Sequence, residues 1–234
     1  MKIAQSADIL SMDGDIMNKE WSELNKQLQL QLKKSSTFEQ GIDTLLVLRE
    51  KLMEQIQSFR KELRYEDFSA CPFRNAKGYH SKTVAYSLFH IFRIEDITVN
   101  SLIKKEEQIF LAGGWAERMN SAIITTGNEL AGEELTAFSA ALDIDALYEY
   151  IEAVNESTEA FLRKLSFDEI KRKPADADRE YLRSLGTVSE DESACWLIDY
   201  WCGKDIRGLI QMPLSRHWIM HVEAALRIRD RLCR

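Results

Sequence analysis

A chain of 234 residues, 45% of them hydrophobic, has ample material for a packed core. Acidic residues outnumber basic ones by 38 to 31, and the net charge of -7 argues against a broad nucleic-acid or anionic-membrane surface, which needs clustered positive charge. With 10 glycines and 3 prolines, turn chemistry is too sparse for an all-β fold.

The opening MKIAQSADILSMDGD has no apolar run of signal-peptide length. Residues 14–34 then carry Ile16, Met17, Trp21, Leu24, Leu28 and Leu32 as a helical stripe. Ser36 and Glu39 fit a capping box, and a second helix follows through Ile42, Leu45, Leu52, Ile56 and Phe59 to Leu63. Arg64 to His80, with Pro72 and Gly78, reads as a long connection. From Ser81 to about Ile103 the chain is apolar on more than one side, the signature of a buried helix. Gly113-Gly114 breaks the pattern, and 115–142 reads as short helices joined through Gly127 and Gly132. From Asp143, Ile144, Leu147, Ile151, Val154, Thr158 and Leu162 recur at helical spacing. FDEIKRKPADADREYLRSLG, interrupted by Pro174, is expected to be a surface excursion, and 190–202 a short helix rich in Trp and Tyr. Pro213 suits the first position of a last helix whose inner face holds Leu214, Trp218, Ala225, Ile228 and Leu232. Its basic ending, Arg227, Arg229, Arg231 and Arg234, reads as a solvated helix C-terminus.

No repeat, low-complexity tract or composition shift divides the chain, so residues 1–234 are expected to form one all-α domain: a helix bundle with additional short helices and long connections. Nowhere do about 18 apolar residues run together, so no membrane span is expected. Cys71, Cys195, Cys202 and Cys233 form no CxxC pair. On one helix Cys195 and Cys202 would stand about 10 Å apart, beyond disulfide reach, and free thiols point to a cytoplasmic location.

The chemistry concentrates in histidines. His217-Trp218-Ile219-Met220-His221 is an HxxxH, and residues four apart share a helical face with Cβ atoms about 5–6 Å apart. Both imidazoles can therefore reach one ion at about 2.0–2.1 Å. They fall in the inward stripe of Leu214, Ala225 and Ile228. That spacing alone balances two readings evenly: two core histidines bonded to neighbours, or two metal ligands. His90, midway along the buried helix, tips the balance, because three inward histidines on two helices form a facial triad with positions left for water or substrate. His80 precedes that helix and is the weaker candidate. HWIMH has Trp218 where HExxH places its general-base glutamate, which removes metalloprotease chemistry. Tyr86 and Arg216 adjoin the histidines in sequence and are within reach of a substrate there, but packing and surface roles are the expectation, and no acid or base is assigned.

Three segments carry a resemblance: SLFHIFRIEDITVNSLI with His90, MPLSRHWIMHVEAALRIRD with His217 and His221, and TGNELAGEELTAFSAALDIDALYEYIEAVNESTEAFLRKL between them. Over about half its length the chain resembles the DinB-like four-helix bundles, which include mycothiol-dependent maleylpyruvate isomerase and the bacillithiol transferases. The resemblance implies a four-helix bundle in which His90, His217 and His221 hold one divalent transition metal, zinc or nickel first. It further implies a metal-dependent S-transferase joining a low-molecular-weight thiol to an electrophilic small molecule. A metal-dependent hydrolase, and a non-catalytic bundle with a structural metal or core histidines, remain open beside it. The expected partners are a small-molecule substrate and a second copy in a homodimer, with no nucleic acid and no membrane.

Overall fold

The computed structural model describes residues 19–233. Ile16 and Met17 of the first helical stripe, Arg234 of the basic ending, and the opening stretch lie outside the described residues. The fold is all-helical, and no strand occurs among the described residues. None of its helices is long and apolar enough to cross a membrane.

Helix α1 spans residues 19–31 and buries Trp21 and Leu28, while Leu32 closes its end against the core. The expected capping box does not form. Ser36 sits in a 3₁₀ turn, Ser35–Thr37, with no side-chain cap. The Thr37 hydroxyl donates back to the Gln31 carbonyl at 2.7 Å, and helix α2 starts only at Phe38 and runs to Glu62. The connection to the next helix holds two 3₁₀ turns, Tyr65–Ser69 and Gly78–Ser81.

Helix α3, Val84–Asp96, is buried at every position and continues as a π-helical segment, Ile97–Lys104. Thr83 caps its start by accepting the Tyr86 N–H at 3.0 Å. The short helices α4 (Ile109–Ala112) and α5 (Trp115–Arg118) flank Gly113-Gly114, where Gly114 has φ +60°. Helix α6 (Gly132–Ala141) leads to α7 (Ile144–Leu162), whose Asp143 cap accepts the Ala146 N–H at 3.0 Å.

The polar stretch after α7 is more than an excursion. It forms α8, Asp176–Ser184, and sends Ile170 and Leu182 into the core. Helix α9 covers only Trp196–Cys202, because the Asp191 carboxylate takes both the N–H and the hydroxyl of Ser193 and holds that stretch in turns. Helix α10, Ile206–Gln211, was not foreseen. It runs into a second π segment, Met212–Arg216, so Pro213 lies inside a continuous helical path and does not open the last helix, α11 (His217–Leu232). Proline lacks an N–H and clashes with the preceding turn, and the wider π turn absorbs it. The Ser215 hydroxyl donates to the Ile210 carbonyl there at 3.0 Å.

The long helices enclose one core: α11 packs on α2 and α3, and α3 packs on α7. The circuit closes where the Tyr148 hydroxyl of α7 donates to the Ile56 carbonyl of α2 at 2.7 Å. At its centre Arg49 and Glu95, both fully buried, pair through two bonds of 2.7 and 2.9 Å. Trp218 Nε1–H donates to the same Glu95 at 2.8 Å, and the Arg49 guanidinium lies 4.2 Å above the Trp218 ring. Arg49 also donates to the Asn155 side chain at 2.6 Å, so one ion pair ties α2, α3, α7 and α11 together.

Candidate metal centre

Helix α3 supplies His90, and α11 supplies His217 and His221 one turn apart. All three are buried, and one ring nitrogen of each lies within 4.8 Å of the others. Their ring centroids form a near-regular triangle with sides of 5.0, 4.8 and 4.7 Å. The expected triad is therefore assembled, and the group could hold a metal ion.

The donor set fits an ion on chemical grounds. His90 Nδ1–H donates to the Thr126 carbonyl at 2.8 Å, which fixes the tautomer and leaves the Nε2 lone pair free. That Nε2 faces His217 Nε2 at 3.2 Å. Two nitrogens bound tetrahedrally to one zinc at about 2.0–2.1 Å would stand about 3.3 Å apart. Burial favours neutral, ligating imidazoles as well. It pulls the His90 pKa down to about 4, and holds His217 and His221 well below the usual range, with the neighbouring imidazoles adding to the effect. The Nδ1 atoms of His217 and His221 are buried without a protein partner.

Thr126 is delivered by a tight turn. Gly127 has φ +75°, and a Cβ there would meet the Tyr86 ring at 3.2 Å, so a side chain would be both strained and crowded. Tyr86 stacks on His90, with centroids 5.4 Å apart and planes within 11°. Burial raises the Tyr86 pKa, which keeps its phenol protonated. Lys82 sits over the Tyr86 ring at 4.4 Å and donates to the Leu130 carbonyl at 3.1 Å. Burial holds the Lys82 pKa below the usual lysine range.

The three histidines line a half-open cavity of about 570 Å³. Its walls include Tyr86, Trp196, Tyr200, Trp201, Met212 and Met220. Among the described residues Lys82 is the one charged side chain that lines it. The Ser193 hydroxyl donates to the Asn128 carbonyl at 3.1 Å, tying two lining residues together.

Other candidates fall outside. His80 accepts from Arg227 at 3.4 Å and is not part of the triad. Arg216 is exposed and does not line the cavity. Cys195 is exposed and Cys202 buried, both are free thiols, and neither borders it. Sequence reasoning missed Lys82, the α9 aromatics as a wall, Thr126, and the Arg49–Glu95–Trp218 brace. One signal was present: Arg93, Glu95 and Asp96 lie in a helix read as buried, and buried charges need partners.

No protein-family model and no curated protein matches the chain. It is similar in structure to a crystal structure described as the conserved protein of locus from Enterococcus faecalis, with a TM-score of 0.53 and 13% identity. That match covers 77% of this chain and 90% of the other, and at such identity the likeness is one of fold.

Proposed function

We propose that the protein is a metal-dependent transferase of the DinB-like kind, joining a small thiol to an electrophile in the cavity above His90, His217 and His221. The observation that carries this reading is the buried triad of neutral imidazoles on the wall of a half-open, aromatic cavity of about 570 Å³, a volume suited to small molecules. A divalent zinc or nickel ion held there would lower the pKa of a small thiol and make it nucleophilic near neutral pH. The chain's own part is to hold three uncharged ligands on rigid helices, with Thr126 fixing the His90 tautomer. The cavity walls shield the reacting groups from water, and Lys82 gives the cavity a positive charge that favours anions. In the transfer the thiol proton passes to solvent, sulfur bonds to the electrophilic carbon, and the displaced group leaves with its electron pair.

The test is direct. Protein purified without a histidine tag or chelator should hold close to one equivalent of a divalent transition metal by elemental analysis. Cobalt-substituted protein should show a new charge-transfer absorption when cellular thiols are added, and turnover should need both thiol and metal. If no thiol perturbs the cobalt spectrum, the transferase reading fails.

A further inference from the structure

Tyr86 and His90 are four apart on α3 and share one face, and Lys82, in extended backbone just before the Thr83 cap, lays its side chain over that same face. The observed contacts show that layering: the ammonium lies 4.4 Å over the phenol ring, which stacks on the imidazole. An ammonium has three donors. The Leu130 carbonyl takes one, and no carboxylate pairs with Lys82 among the described residues. A half-buried cation with spare donors, facing a cavity otherwise lined by neutral groups, lacks only an anion.

Another part of the cavity lining is aromatic. Trp196 is 50% exposed, yet its indole N–H is bound to the Ser193 carbonyl at 2.9 Å, and its ring packs edge-on to Tyr200. Its orientation is thus set without a covering partner, as a stacking surface requires.

From this layering and this wall we infer that the cavity takes a flat apolar molecule bearing one carboxylate, with the carboxylate on Lys82 and the body against Trp196 and Tyr200. The inference names the substrate class of the site proposed above and rests on that reading. A single ammonium matches a singly charged carboxylate, whereas a phosphate group carries close to two charges at neutral pH and would be only half compensated here. With the carboxylate on Lys82, the rest of the molecule shares the cavity with the three histidines, from which Lys82 is separated by the Tyr86 ring stacked on His90.

The test compares 3-phenylpropanoate with 3-phenylpropanamide, read by tryptophan fluorescence and by calorimetry. Both are titrated into metal-free and zinc-loaded wild-type protein and into the Lys82→Met and Lys82→Arg variants. The acid should bind about 10-fold or more tightly than the amide, with or without zinc. Lys82→Met should erase that preference and Lys82→Arg should keep most of it, with circular dichroism unchanged in both. Trp196→Leu should weaken acid and amide alike. Equal affinities in the wild type, or no binding of either compound, would overturn the inference. So would a preference that survives Lys82→Met or exists only with zinc, since the carboxylate would then be held elsewhere. The metal-free arm separates this outcome from failure of the metal reading, because it does not depend on the ion.

Discussion

Replacing Arg49 by Met removes a cation from a place that water does not reach, and the cost can be worked from its contacts. Arg49 and Glu95 are both 0% exposed, and Glu95 takes bonds of 2.7 and 2.9 Å from the guanidinium. After the change one Glu95 oxygen loses its partner outright, while the other keeps only the Trp218 N–H at 2.8 Å. Breaking a buried pair from one side costs about 3–5 kcal/mol, because an uncompensated charge remains. For a chain of this size that is a fall in Tm on the order of 10 °C. The double variant Arg49→Met, Glu95→Gln should recover a good part of the loss, since no charge then stays buried while an acceptor for Trp218 remains. Urea denaturation of the wild type, both single variants and the double completes the cycle. Metal affinity should fall in the Arg49 variant too, because Trp218 sits beside His217 on α11. A loss below about 1 kcal/mol in Arg49→Met, or a double variant no more stable than that single one, would refute the idea that this ion pair braces the fold.

Ala at His217 or His221 should sharply lower metal occupancy by elemental analysis, since two imidazoles hold an ion far less well than three, and full occupancy in a His90→Ala, His217→Ala chain would remove the site. The metal-free protein should lose stability as pH falls from about 6.5 to 4. Burial holds His90 near 4 in the folded state against 6.5 unfolded, so in that window the unfolded chain takes up the proton. Stability present above 6.5 is thereby lost, by about 3 kcal/mol from this residue, and denaturation curves that do not shift would contradict it. Gly127→Ala forces a positive φ on a residue with a Cβ and pushes on Tyr86, so it should cost about 1–3 kcal/mol and weaken metal binding, with wild-type values for both counting against the turn's role. Leu147→Ala and Ile151→Ala, both at fully buried positions on α7, should each cost about 2–5 kcal/mol in the same assay.

The long helices were legible because burial imposes a period on them. Ile144 to Leu162 repeats at helical spacing and ends up as one inward face, and SKTVAYSLFHIFRIEDITVNSLI reads as buried because it is. The HxxxH was legible for the same reason, since one turn of helix places His217 and His221 side by side without help from the rest of the chain. What could not be read depends on distant partners. Nothing near Thr126 in the chain says that its carbonyl will meet a ring 36 residues away. Nor does local pattern show that Trp196 forms a cavity wall, since an aromatic in a short helix usually marks core. The Ser36 cap failed because Thr37 found a better acceptor in the Gln31 carbonyl, a competition within a few residues that propensity does not resolve.

The π segment at Met212–Arg216 carries a consequence for how this chain tolerates length changes. Each residue of an α-helix turns the path by about 100°. A π turn accommodates a residue beyond the α-helical register, so the segment works as a phase adjuster between α10 and the histidine-bearing helix. Losing one residue there is absorbed as the wide turn closes to an α turn, which keeps the downstream phase, whereas losing one from the α-helical stretch Ile206–Gln211 would rotate everything downstream by about 100°. His217 and His221 would stay one turn apart and point together at the wrong neighbour.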